Sequence, residues 1–361
     1  MVKKLIHLIE KYEHYLSPGS LVLGFIIDSL TLKRADIFFD NFILLTYLLL
    51  SGICILILNA NDAGRFRNER VLKITPLLPL VLQFAFGGLF SGFTVLYSRS
   101  SSLGASWPFI GVMASLLIGN EYFRNRYKRL VFQVAIYFIA IFSYLIFAIP
   151  ILANEIGPVI FILSGGISLA IVGILVYFLI LFAPQMLHPY KRTLILSVIG
   201  IYAAFNFLYF SNIIPPIPLV LKEVMIVHDL KHSGGNNLTM AYEPPKWYHL
   251  FKDFDPTYHR VGNEPVYAYS SIYAPADIGT TIIHEWSYFD EAKGKWILSS
   301  KLQYPIFGGR EKGFRGYSLK TNITPGKWRV SIKTKHGQVL GRVKFDIVPA
   351  SSEPNTQAVV K

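Results

Sequence analysis

The sequence predicts a multi-span α-helical membrane domain of about seven spans, followed by an all-β, immunoglobulin-like antiparallel sandwich. Three observations carry this reading. Long apolar runs fill residues 1–220, which hold only 9 of the 22 acidic residues. After Pro215-Pro216-Ile217-Pro218 the composition turns to that of a water-soluble domain, with 19 Lys and Arg against 13 Asp and Glu in residues 221–361. In that second half apolar residues recur at every second position, the period of a strand with one buried face. Over the whole chain 16% of residues are charged and the mean hydropathy is +0.42, whereas soluble proteins carry about 25% charged residues.

Residues 1–16 place Leu5, Leu8, Ile9, Tyr12 and Leu16 at helical spacing beside Lys3, Lys4 and Lys11, the pattern of an interfacial amphipathic helix. They lack the apolar core of a cleavable signal peptide. Residues 17–214 contain seven apolar stretches near the length a bilayer needs: 17–32, 39–59, 74–97, 104–119, 130–152, 157–183 and 193–214. The first is short and contains Asp28. Arg65, Arg67, Arg70 and Lys73 crowd one connection, Arg124, Arg126, Lys128 and Arg129 a second, and Lys191 and Arg192 a third. The connections between them carry Arg99 in one case and no Lys or Arg in the other. The positive-inside rule then puts the N-terminus in the cytoplasm and the C-terminal domain outside, and the count works only if the first stretch spans.

Ionisable residues within spans are costly and are usually paired or functional. Asp28, Arg34, Asp36 and Arg99 form the polar cluster expected at the outer ends of spans one to three. It reads either as an ion-pair and capping cluster or as a ligand site. Gly87, Gly88, Ser91 and Gly92 in span three read as close helix packing. Acids and histidines deep in the spans are otherwise scarce, which disfavours an ion-coupled carrier.

Residues 215–221 form a proline-stiffened linker, residues 222–350 the exported sandwich and residues 351–361 a disordered tail. Within the sandwich, runs at 222–228, 238–242, 265–273, 281–288, 295–304, 327–335 and 342–347 alternate as strands, giving seven or eight in all. Asp290 to Gly294 and His336-Gly337 are hairpin turns. The only cysteine, Cys54, lies in an apolar run, so the domain has no disulfide and no cysteine metal site.

The stretch Gly308 to Tyr317, "GGREKGFRGY", suggests a phosphate cradle. It lacks the closing Gly-Lys-Ser/Thr and the following helix of a P-loop, and an exported loop meets no ATP. Nucleotide binding is therefore not expected, and neither are nucleic-acid binding, a cofactor or a metal. No Gly-x-Ser-x-Gly or His-Glu-x-x-His pattern marks a hydrolase.

His284-Glu285-Trp286, Gly308-Gly309-Arg310, Gly313 to Tyr317, Pro325 to Val330 and Leu340-Gly341-Arg342 together resemble the bacterial domain of unknown function 2914, over roughly residues 280–348. The membrane half, from Gly24 to Asn41, resembles the N-terminal regions that accompany it, domain of unknown function 5924. The resemblance implies a multi-pass protein of a Gram-negative inner membrane with a periplasmic domain, and it brings no activity to carry over.

The residues favoured for ligand or partner binding are His284, Trp286, Arg310, Arg315 and Tyr317. His284 shares a strand face with Ile282 and Trp286, as a hydrogen-bonded core histidine or a cleft group. Arg310 and Arg315 either pair with Glu285 or Glu311 or offer guanidinium forks to an anion. The expected function is non-catalytic binding of an anionic envelope component or a periplasmic protein. The alternative is an intramembrane enzyme or carrier acting on envelope lipid or glycan. The lipid bilayer is the one partner common to both.

Overall fold

The computed structural model describes residues 25–30, 38–65, 75–100, 103–122, 126, 129–214, 216, 218–234, 237–247, 249, 253–275, 278–310 and 313–361. The expected helix of residues 1–16, most of the expected span 17–32, and Arg34, Asp36 and Glu311 lie outside the described residues, as does the side chain of Arg99. The chain divides into two compact units. The first is Met1–Arg99, Ser106–Ala153 and Gly157–Ile217; the second is Ser100–Ala105, Asn154–Ile156 and Pro218–Lys361.

The first unit is helical. Its helices are α1 (Phe38–Asp62), α2 (Leu78–Ser100), α3 (Leu103–Tyr122), α4 (Leu130–Ala153), α5 (Pro158–Phe182), the short α6 (Pro184–Leu187) and α7 (Lys191–Phe210). Pro158 opens α5, where a missing N–H costs nothing. Among the described residues five stretches are long and apolar enough to cross a membrane: Asn41–Asp62, Leu78–Ser98, Leu130–Ala153, Pro158–Phe182 and Pro184–Phe210. The expected span 104–119 falls on α3, whose apolar part, Trp107–Asn120, is shorter than these. Of the expected span 17–32, the structure describes only a helical segment at 25–30.

Helix α4 is the centre of the bundle and packs against α1, α5 and α7. Buried polar side chains in this unit make specific bonds. Asn59 Nδ2 donates to Gln133 Oε1 at 2.6 Å, joining α1 to α4, and Tyr97 Oη donates to the Ser143 carbonyl at 2.9 Å. The glycines of span three act as the spacing suggests. A Cβ on Gly88 would come within 2.6 Å of the Tyr47 ring, so the glycine makes room on α2 for this side chain of α1.

The second unit is strand-rich, with strands β1 (Val220–Val227), β2 (Asp229–His232), β3 (Leu238–Tyr242), β4 (Thr257–Val261), β5 (Val266–Tyr273), β6 (Gly279–Asp290), β7 (Lys295–Phe307), β8 (Phe314–Lys320), β9 (Gly326–Thr334), β10 (Val339–Ala350) and β11 (Gln357–Val360). They form three sheets, ordered β1-β5-β8, β4-β10-β9-β6-β7 and β11-β3-β2. The seven expected runs are all present, and both expected hairpins join antiparallel neighbours. Alternation explains the core. Ile282 and Trp286 from β6, Val330 and Ile332 from β9, and Val343 and Phe345 from β10 meet Ala268 and Ile272 from β5 in one hydrophobic cluster.

Three expectations change. The sheets are not wholly antiparallel, because β4 lies parallel to β10, from Thr257 against Asp346 to Val261 against Ala350. Several strands separate these two in sequence, which leaves room for the crossover a parallel pair requires. The expected disordered tail contains β11, which pairs with β3 from Gln357 against Tyr242 to Val360 against Thr239. Its Ala358-Val359-Val360 is strand-forming sequence that finds an open edge. The expected 314–317 part of the glycine loop is strand β8.

Candidate functional site

Strand β8 sends alternate residues to opposite faces of the β1-β5-β8 sheet. On the inner face, Gly316 and Ser318 look toward β6 and β7. His284 is fully buried there; its Nε2 lies 2.9 Å from Ser270 Oγ and its Nδ1 2.9 Å from Ser318 Oγ. Trp286 Nε1 donates to the same Ser318 Oγ at 3.0 Å, and Ser270 Oγ and Tyr304 Oη share a hydrogen bond of 2.6 Å. Burial pushes the His284 imidazole down to about 4 and pushes the Tyr304 hydroxyl well up. The cluster is a neutral, hydrogen-bonded crossing between sheets, and His284 and Trp286 are both fully buried in it.

The outer face differs. Glu223, Ser271 and Arg315 lie side by side across β1, β5 and β8, and Met225, Tyr269 and Tyr317 form the next row. Beside the first row is an open, mainly polar pocket of about 550 Å³, lined by Lys222, Glu223, Asp253, Tyr269, Arg315 and Lys361 among others. Lys361 Nζ holds Glu223 Oε1 at 2.7 Å. Burial, reinforced by the Glu223 carboxylate, pushes the Tyr269 hydroxyl up to about 12, while Arg315 pulls the other way. Tyr269 is therefore a hydrogen-bond donor at neutral pH. Three cations, a phenol and two carboxylates at one opening suit a polar ligand with anionic groups.

The structure thus divides the five expected site residues. Arg315 lines the pocket; Tyr317, 41% exposed, stands on the same face one row away. Arg310 is exposed and caps the Phe314 ring at 5.0 Å. His284 and Trp286 lie on the other side of the sheet, in the core. Glu285 is held by lysines. It points away from the core, with Lys333 at 2.6 Å and Lys301 at 3.6 Å flanking it on β9 and β7. The glycines of the Gly308 to Tyr317 stretch shape the fold. Gly313 has φ +87°, and a Cβ on Gly316 would overlap the Tyr304 ring. Of the expected membrane cluster, Asp28 is half-buried, within electrostatic reach of Ser91 and Tyr47.

Sequence reasoning missed a second polar cluster. His228 Nε2 lies 3.0 Å from Glu243 Oε1, and its Nδ1 lies 3.0 Å from Glu264 Oε1. His259 donates to Glu243 through its backbone N–H at 2.6 Å, and its Nδ1 lies 2.6 Å from the other Glu243 oxygen. His228 stacks on Tyr258 at 4.0 Å. Burial pulls the Glu243 carboxyl up, but these bonds outweigh it and hold the group below the usual carboxylate range. The four residues come from the middle of β4, a turn and two strand ends, so no local spacing announces them. No group of three or more His, Cys, Asp or Glu among the described residues could hold a metal ion.

A family model described as "Protein of unknown function (DUF2914)" matches residues 279–347, from the start of β6 into β10. This is the stretch in which the sequence resembles that domain. The match does not extend to the membrane half. No curated protein matches the chain. Among solved structures, the chain aligns with the Pseudomonas fluorescens alkylpurine DNA glycosylase AlkC bound to DNA containing an abasic site analog. That alignment has 9% identity and a TM-score of 0.22, and covers 88% of this chain and 100% of that one. A similarity so low carries no argument about fold or activity.

Proposed function

We propose that the chain is a multi-pass protein of a bacterial inner membrane whose periplasmic domain, an immunoglobulin-like sandwich, binds an anionic envelope component without catalysing a reaction. The observation that carries this reading is the polar pocket beside the Glu223–Ser271–Arg315 row, with Lys222 and Lys361 at its edge. The Lys and Arg bias of the connections supports the orientation. The hydrogen bonds from His284 to Ser270 and Ser318 support the sandwich, since they tie two facing sheets. A periplasmic protein presenting a carboxylate or phosphate would use the same groups.

The test is ligand-induced stabilisation of the full-length protein in detergent, using a hexose phosphate and a hexuronate as probes. Either should raise the unfolding midpoint of the wild type and leave that of Arg315→Ala unmoved. An equal rise in both proteins would separate binding from this pocket. No rise in the wild type with either probe would remove the anionic-ligand reading.

A further inference from the structure

The other outward surface of the domain, on the β10-β9-β6-β7 part of the large sheet, has a different chemistry. Because His284 and Trp286 point inward, Glu285 and Ser287 point outward. Strand register lays out two rows on this face: Arg342, Ser331, Glu285 and Lys301, then Lys344, Arg329, Ser287 and Leu298. Glu285 is neutralised by Lys333 and Lys301. Arg329, Arg342 and Lys344 remain as a cluster on two adjacent strands; none of the ion pairs among the described residues involves them, though the Glu285 carboxylate lies within electrostatic reach of Arg329. Arg329 lies 4.6 Å over the Trp296 ring, and Lys344 5.9 Å from the same ring. The Arg329 Nε atom is buried, with no hydrogen-bond partner among the described residues. Burial and the like charge of Arg342 lower the guanidinium from its ordinary value, and the Glu285 carboxylate, itself held by two lysines, offsets only part of this.

We infer that this face docks on an anionic phospholipid surface, through Arg329, Arg342 and Lys344 around the Trp296 ring. Charge complementarity selects the occupant: three clustered cations, with the carboxylate beside them already held by two lysines, attract phosphates, and guanidinium forks match them. The interleaved apolar groups select a lipid layer over a soluble phosphate. Trp296 and Phe289 pack edge to face at 5.3 Å, and Leu298 beside them is 51% exposed, the mixture of basic, aromatic and aliphatic groups that headgroup interfaces accept. Among the described residues the same chain carries five helices long and apolar enough to cross a membrane, which tethers the domain to a bilayer. This surface shares no residue with the pocket proposed above, and either reading can fail alone.

The test uses the full-length protein in nanodiscs of phosphatidylcholine, with or without phosphatidylglycerol, and follows lysine acylation by mass spectrometry. Lys344 should be labelled several-fold more slowly in the phosphatidylglycerol discs. Lys231, exposed on β2 of another sheet, should be labelled equally in both. Arg342→Gln removes an exposed side chain, so it should leave the fold intact and restore labelling of Lys344. Equal labelling of Lys344 in the two lipids would overturn the inference, and so would equal slowing at Lys344 and Lys231. Protection of Lys344 by inorganic phosphate alone, in phosphatidylcholine discs, would also overturn it by showing a free-anion site.

Discussion

His284 shows how one buried side chain reports on the fold. A neutral imidazole satisfies Ser270 and Ser318 with one N–H and one lone pair, while a protonated ring in this position has no carboxylate to meet. Its value of about 4 lies below the ordinary 6.5 or so. The unfolded chain therefore takes up a proton first, and stability is lost as pH falls from about 6.5 toward 4. A shift of this size corresponds to on the order of 3 kcal/mol. His284→Asn should be less stable than wild type at pH 7, and the gap should narrow as denaturant melts are repeated at lower pH. A gap that stays constant would mean the ring is not held neutral. Gly316 makes a companion case. Its neighbour Tyr304 is fixed by Ser270, so the ring cannot withdraw from an added methyl. Gly316→Ala should cost about 1–3 kcal/mol, read as a lower thermal midpoint.

Strands were legible wherever apolar and polar residues alternate without interruption. Trp328, Val330 and Ile332 against Arg329, Ser331 and Lys333 leave no other reading, and β9 occupies the expected span within a residue or so. Strand β8 was hidden by its glycines. Gly316 in a strand looks like turn chemistry until Tyr304, distant in sequence, is seen filling the space above it. For the same reason the pocket was only half legible. Arg315 could be picked from the loop, but Glu223, Tyr269 and Lys361 join it through strand register, which no local pattern encodes. Strand β11 shows the limit most clearly. Four residues near the C-terminal end of the chain gain their order by pairing with β3, and Lys361 adds backbone bonds to Leu238 and the ion pair to Glu223. Deleting residues 357–361 should lower the thermal midpoint and speed amide exchange at Thr239 to Tyr242. Unchanged exchange there would show that β11 adds no protection to β3.

Across the whole molecule, the side on which the C-terminal domain lies turns on α3. Its apolar part, Trp107–Asn120, rises only about 20 Å at ~1.5 Å per residue, against a hydrocarbon core of about 30 Å. Its full 20 residues reach that thickness only by including Asn120 and Glu121. Length alone argues against a crossing, and charge argues for one. If α3 crosses, the connections holding Arg65, Arg126 with Arg129, and Lys191 with Arg192 all fall on one side. If it does not, the last two move opposite the first, against the positive-inside rule. Biases of this kind govern orientation strongly in short connections, and these are short, so α3 is expected to cross. The test starts from Cys54→Ala, which removes the only cysteine. Single cysteines are then placed at Arg126, Asn154 and Ser351 and exposed to a membrane-impermeant maleimide in intact cells with a permeable outer membrane. Asn154→Cys and Ser351→Cys should be labelled, and Arg126→Cys should be labelled only after lysis. The opposite pattern would put the domain in the cytoplasm. The pocket around Arg315 would then face nucleotides and other cytoplasmic anions, and the envelope reading would fall with the topology.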